Sequence, residues 1–113
     1  MIIVSDTAPL NYLVLIGEIE ILEKLAGRVL IPQAVANELK DPKTPEKVRA
    51  WVESRPLWLE VRQANTSLFS SRRRIGKGET QAIALAIELS ADALLIDDSD
   101  GIEEARRLQI PIL

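Results

Sequence analysis

The chain opens on a run, Ile2-Ile3-Val4, that is apolar at consecutive rather than alternate positions. Such a run, rich in β-branched residues, predicts a short strand buried on both faces, as at the centre of a parallel sheet. Similar runs at Val29-Leu30-Ile31, Trp58-Leu59-Glu60-Val61 and Ala93-Leu94-Leu95-Ile96 predict further strands. Ile110-Pro111-Ile112-Leu113 predicts a last one at an edge, where proline is tolerated. Between these runs apolar residues recur at helical spacing. Pro9 suits the first turn of a helix continuing through Leu13, and Glu18 to Ala26 predicts a second, stopped by Gly27. Gln33 to Lys40 and Glu46 to Glu53 follow. Glu79 to Ser90 is the clearest helix, with Ala82, Ile83, Leu85, Ala86 and Leu89 on one face, and Ile102 to Leu108 is a last amphipathic one. Asp41 to Pro45 and Gly76-Lys77-Gly78 have the composition of loops.

Strands alternating with helices predict an α/β fold: a three-layer α/β/α sandwich on a mostly parallel, about five-stranded sheet with right-handed crossovers. No internal repeat, low-complexity tract or boundary divides the chain, so residues 1–113 are expected to form one domain. In open α/β sheets, sites lie at the carboxyl ends of strands. Asp6 stands where the first strand runs out. It is either a site residue or the cap of the next helix.

Composition narrows the chemistry. The hydrophobic fraction is 47% and the charged fraction 27%, which excludes disorder, and there is no cysteine and no histidine. Disulfides, thiolate nucleophiles, the usual zinc sites and imidazole bases are thereby excluded. Lack of cysteine fits a cytoplasmic location. Met1 leads directly into the first strand with no targeting pattern, and no apolar run approaches the roughly 20 residues that span a bilayer. The net charge of −3 gives no global signature for nucleic acid, so any such binding must be local and assisted by a cation.

The remaining chemistry is carboxylate chemistry. Asp6 follows the first strand and Asp97-Asp98 the fourth, while Glu79 starts a helix that begins at the same edge; Glu38 lies late in the third helix. Converging carboxylates repel unless a cation neutralises them, and oxygen-only ligands select Mg²⁺ or Mn²⁺. Such a site hydrolyses phosphodiesters. Each acid also has a plain role open to it: Glu79 answering the helix dipole, Glu38 a solvated helix end, Asp97 or Asp98 the cap of the last helix. The basic run Arg72-Arg73-Arg74 with Lys77 either rims the pocket and holds a phosphate backbone or is a solvated face. Gly76-Lys77-Gly78-Glu79-Thr80 is no phosphate-binding loop of the NTPase kind, since Gly follows the lysine and no strand precedes it. A receiver-type phosphoacceptor would need paired acids after the first strand and a lysine after the last.

Ile2 to Leu10 resembles the opening motif of PIN-domain nucleases, the fold of VapC-type toxins. Val29-Leu30-Ile31-Pro32 leading to Val35-Ala36-Asn37-Glu38-Leu39, Gly78-Glu79-Thr80-Gln81-Ala82, and Ala93 to Asp98 are similar to that family's later motifs, in a small prokaryotic branch. The resemblance implies an acidic pocket of Asp6, Glu38, Glu79 and Asp98. Asp6, Glu79 and Asp98 would hold Mg²⁺ or Mn²⁺, with Asp97 an adjacent or alternative ligand. It implies an endoribonuclease with an RNA substrate; the residues themselves put Thr7, Arg72, Arg73, Arg74 and Lys77 on the substrate side and a hydroxyl of Ser5 or Thr7 beside the cation. The resemblance further implies a toxin paired with an antitoxin, a homodimer, and helical material after the last strand that this chain lacks. The rival expectation is a PIN-like module with a vestigial pocket that acts through a protein partner.

Overall fold

The computed structural model describes residues 1–113. Ile3 and Val4 are neighbours in the first strand, β1 (Ile2–Ser5), and both are fully buried. Successive strand residues point to opposite faces, so β1 lies between two cores. It pairs in parallel with β2 (Arg28–Pro32) on one side and β4 (Ala93–Leu95) on the other. β3 (Leu59–Arg62) pairs in parallel with β2, giving the order β3-β2-β1-β4.

One core is made by Ile3, Val29 and Ile31 under α1 (Thr7–Leu15), α2 (Ile21–Ala26), α3 (Gln33–Lys40) and α4 (Glu46–Glu53). The other is made by Val4, Leu30 and Leu94 under α5 (Lys77–Leu89) and α6 (Ser99–Arg107). The two sets of strand residues alternate in sequence, as the pleat requires. The result is the expected three-layer α/β/α arrangement.

Three expectations change. The sheet has four strands, and the fifth shrinks to one parallel bridge, Leu94 to Ile112. Leu94 N–H donates to Pro111 O and Leu113 N–H to Leu94 O, while Pro111 has no N–H to extend the ladder. The second helix is short, because Gly17 turns the chain at φ +76 and only Ile21 to Ala26 winds up before Gly27, also left-handed, ends it. Gly76-Lys77-Gly78 is not a loop. Gly76 caps α5, and Lys77 and Gly78 form its first turn, where a glycine can be kept for what approaches it.

Candidate active site

β1 and β4 are the neighbours between which strand order reverses, and crevices form at such points. Asp6 follows β1, and its backbone N–H donates to the carbonyl of Leu95 at 2.9 Å, fastening the two strand ends together. Asp6 occupies the N-cap position of α1, yet its side chain makes no capping bond. The capping role therefore does not account for this residue. Asp6 is only 4% exposed. Burial pushes its carboxyl up to about 7 against the nearby Thr7 backbone amide, and the charges of Glu79, Glu38 and Asp97 push the same way.

Those three neighbours arrive on separate elements. Glu38 comes from α3, whose next residue, Leu39, is fully buried and fixes the helix against the core. The Thr7 hydroxyl donates to Glu38 Oε2 at 2.7 Å. Glu79 sits in the first turn of α5, anchored to α3 by Gln81, whose side-chain oxygen accepts the Ala34 N–H at 3.0 Å. Asp97 follows β4. Gly78 explains why the start of α5 can come so close: a Cβ there would lie 2.7 Å from Glu38 Oε1 and 3.1 Å from Asp6 Oδ1. At Gly76 a Cβ would lie 2.5 Å from Glu79 Oε2, so this glycine leaves room for Glu79 to fold over its own helix start.

The other expected residues are placed as follows. Asp98 caps α6, accepting the Gly101 N–H at 2.9 Å. Ser5 donates its hydroxyl to the Asp6 carbonyl and Thr7 donates its own to Glu38, and the lone pairs of both oxygens are left over. Lys77 is exposed at the start of α5. Arg72, Arg73 and Arg74 are exposed too, but the run lies along α6. Arg73 pairs with Asp100 at 2.8 Å, and the Arg72 backbone N–H donates to Glu104 at 2.6 Å.

Three residues near these groups carry no motif. Asn11 and Lys43 line a hollow of about 350 Å³ together with Thr7 and Glu38, and Asn11 Oδ1 is buried without a partner. Asn11 stands four residues after Thr7, so helical spacing alone puts it on the same face. Glu104 is a buried acid, 2% exposed, bonded through both oxygens to Arg107. Those bonds hold it down to about 2, against burial and with help from the Arg72 N–H. Its signal was its spacing: Gly101, Glu104 and Ala105 share the buried face of α6.

Carboxylate oxygens are the donors a hard divalent cation takes, and Gly78 leaves the gap between Asp6 and Glu38 open. The residues therefore fit Mg²⁺ or Mn²⁺ in kind. No three acidic side chains lie at ligand distance from a common point as they stand. Like charges with no counter-charge between them are expected to stand apart. No helix is long and apolar enough to cross a membrane. A family model described as a PIN domain matches residues 2–113. No curated protein matches the chain.

Proposed function

The chain belongs to the PIN-domain family, a nuclease-type fold, and on that premise we propose that it is a metal-dependent ribonuclease acting on RNA. One observation carries the reading: acids from α3, α5 and the end of β4 face Asp6, which is buried, makes no capping bond and is raised to about 7. In this reading Asp6, Glu38, Glu79 and Asp97 form the acidic pocket. Asp98 accepts the Gly101 N–H through Oδ2 alone and stands beside Asp97 as a further acid of that pocket.

When bound there, Mg²⁺ or Mn²⁺ supplies the charge that lets the acids ionise together and activates water toward phosphorus. The chain's own groups have separable tasks. Asp6 offers a carboxylate shielded from water, whose Oδ1 lies beside the Gly78 gap. Thr7 holds Glu38 by one oxygen and leaves Oε1 facing the same gap. Glu79 is carried on the first turn of α5, where the helix dipole favours its negative charge. Lys77 and the exposed arginines offer charge to the phosphate backbone. Cytoplasmic location, a toxin role with an antitoxin partner, and a homodimer belong to the same proposal. Growth arrest on expression, relieved by Asp6→Asn, tests the toxin role, and sedimentation tests the dimer.

The deciding experiment is cleavage of a mixed RNA pool with Mg²⁺, Mn²⁺ or chelator, run beside Asp6→Asn protein of matched fold. Metal-dependent cleavage that disappears in the variant is expected; equal activity of the two preparations overturns the reading. The second reading, a PIN-like module acting through a protein partner, is favoured by the absence of a ready-made group of three acids. Calorimetry separates the two. Mn²⁺ binding that disappears in the Asp6→Asn, Asp97→Asn double variant supports the nuclease, and no binding at millimolar Mn²⁺ supports the module.

A further inference from the structure

An exposed run of three arginines has no reason of its own to keep one conformation, since like charges repel and each side chain is rich in rotamers. Here the run is fastened from beneath. One oxygen of Glu104 accepts the Arg72 backbone N–H at 2.6 Å and an Arg107 guanidinium N–H at 3.0 Å. Its other oxygen accepts the Arg107 Nε–H at 3.2 Å. The same guanidinium donates onward to the Ser70 carbonyl at 2.9 Å. Backbone on both sides of Ser71 is thus tied to α6, and the Arg73–Asp100 pair adds a third tie one turn away.

A buried ion pair is a weak stabiliser compared with apolar side chains of the same size. What glutamate does at position 104, and leucine could not, is bond the Arg72 N–H and hold Arg107 against Ser70. Both of those bonds go to loop backbone and none to another core element. Beyond the run, Ile75 and Gly76 lead into α5, where Gly78 and Glu79 meet Asp6 and Glu38. The fastened segment therefore connects α6, at Asp100, Glu104 and Arg107, to the helix start that carries Gly78 and Glu79. Arg72, with Arg73 and Arg107, borders an open polar hollow of about 450 Å³.

We propose that Glu104 is a positioning residue: by fastening Ser70–Arg73 to α6 it presents Arg72 and Arg73, which border the same polar hollow, as a preset pair of cations for the phosphates of an RNA strand lying across the acidic edge. This inference rests on the ribonuclease reading and concerns recognition alone. A preset pair spares the ordering entropy that a loose basic loop loses on binding. Glu104→Gln keeps the size of the side chain and removes the charge that holds Arg107.

Binding of a labelled single-stranded RNA is measured by anisotropy in Ca²⁺ at several salt concentrations, and steady-state cleavage is measured in Mn²⁺. For Glu104→Gln, the dissociation constant and KM are expected to rise roughly tenfold, with the salt slope shallower by roughly 0.7 for each phosphate that is no longer neutralised. kcat should stay near the wild-type value. Arg72→Ala should give the same signature with α6 and its clamp intact, and the two changes together should cost less than their product. The double variant Glu104→Leu, Arg107→Leu separates folding from recognition, because it regains stability while the weakened RNA binding persists.

Unaltered binding and KM in Glu104→Gln overturn the proposal, and so does a weakening that vanishes in the double variant. A wild type that binds RNA as expected without cleaving it leaves this proposal standing and overturns the ribonuclease reading. A wild type that cleaves while Glu104→Gln is unchanged overturns this proposal alone, and one that neither binds nor cleaves overturns both.

Discussion

Asp6 and Glu104 are both carboxylates shut away from water, 4% and 2% exposed, and they have opposite electrostatic fates. Glu104 is met by Arg107 and a backbone N–H and is held down to about 2. Asp6 is met by three other acids and is pushed up to about 7. Burial of a carboxylate therefore does not mark a site in this molecule. In the nuclease reading an unanswered buried carboxyl does, because there the fold carries a cost that a ligand can relieve. Glu104 instead shows what an answered charge does: it organises the backbone around it.

The largest test of the contrast is to remove the unanswered charge. Asp6→Asn should stabilise the metal-free protein at pH 8 by on the order of 2–4 kcal/mol while abolishing cleavage, as chemical denaturation in chelator would show. Equal or lower stability of the variant would mean that the Asp6 charge is answered after all. The two acids also have opposite pH signatures. Asp6, raised from 3.8 to about 7 in the fold, contributes stability below pH 3.8 that is lost as pH climbs through 7. Glu104, lowered from 4.5 to about 2, contributes stability above pH 4.5 that is lost as pH falls through 2. Metal-free protein should be most stable between about pH 4 and 5, and the decline toward pH 7 should flatten in Asp6→Asn.

Next comes breaking the answered charge. Arg107→Met leaves Glu104 buried without its cation and should lower Tm by roughly 10 °C. A shift of a degree or two would show that Glu104 finds water instead. The smallest effect on stability is expected from Gly78→Ala, within about 1 kcal/mol, since alanine favours the helix while its Cβ crowds Glu38 and Asp6. Cleavage should nevertheless fall roughly tenfold or more, through displaced carboxylates. Unchanged turnover would detach the Gly78 gap from the chemistry.

Much of this was legible along the chain. Gln33–Lys40 and Glu46–Glu53 are helices with the bounds their spacing predicts, and the consecutive apolar residues Ile2-Ile3-Val4 correctly implied a strand between two layers. That Asp6, Glu38 and Glu79 would come near one another was legible because each lies at a strand end or helix end that an α/β fold turns toward one edge. Which of Asp97 and Asp98 caps the last helix was not legible from sequence. They are adjacent at a strand end, and only the turn into α6 commits one to capping Gly101. Glu104 carries only the spacing that sets it on one face with Gly101 and Ala105, a weak signal because an acid on an amphipathic helix ordinarily faces water.

The sequence by itself determined the elements, their alternation, and a chemistry restricted to oxygen ligands by the absence of histidine and cysteine. These follow from local spacing and composition, which need no knowledge of distant partners. Only the tertiary structure decided the order β3-β2-β1-β4, the reduction of the fifth strand to a bridge, and which buried acid would be answered. Thr7 reaches Glu38 across 31 residues and Arg72 reaches Glu104 across 32. The charge state of a buried group is set by such neighbours, and they are brought to it by folding rather than by position in the chain.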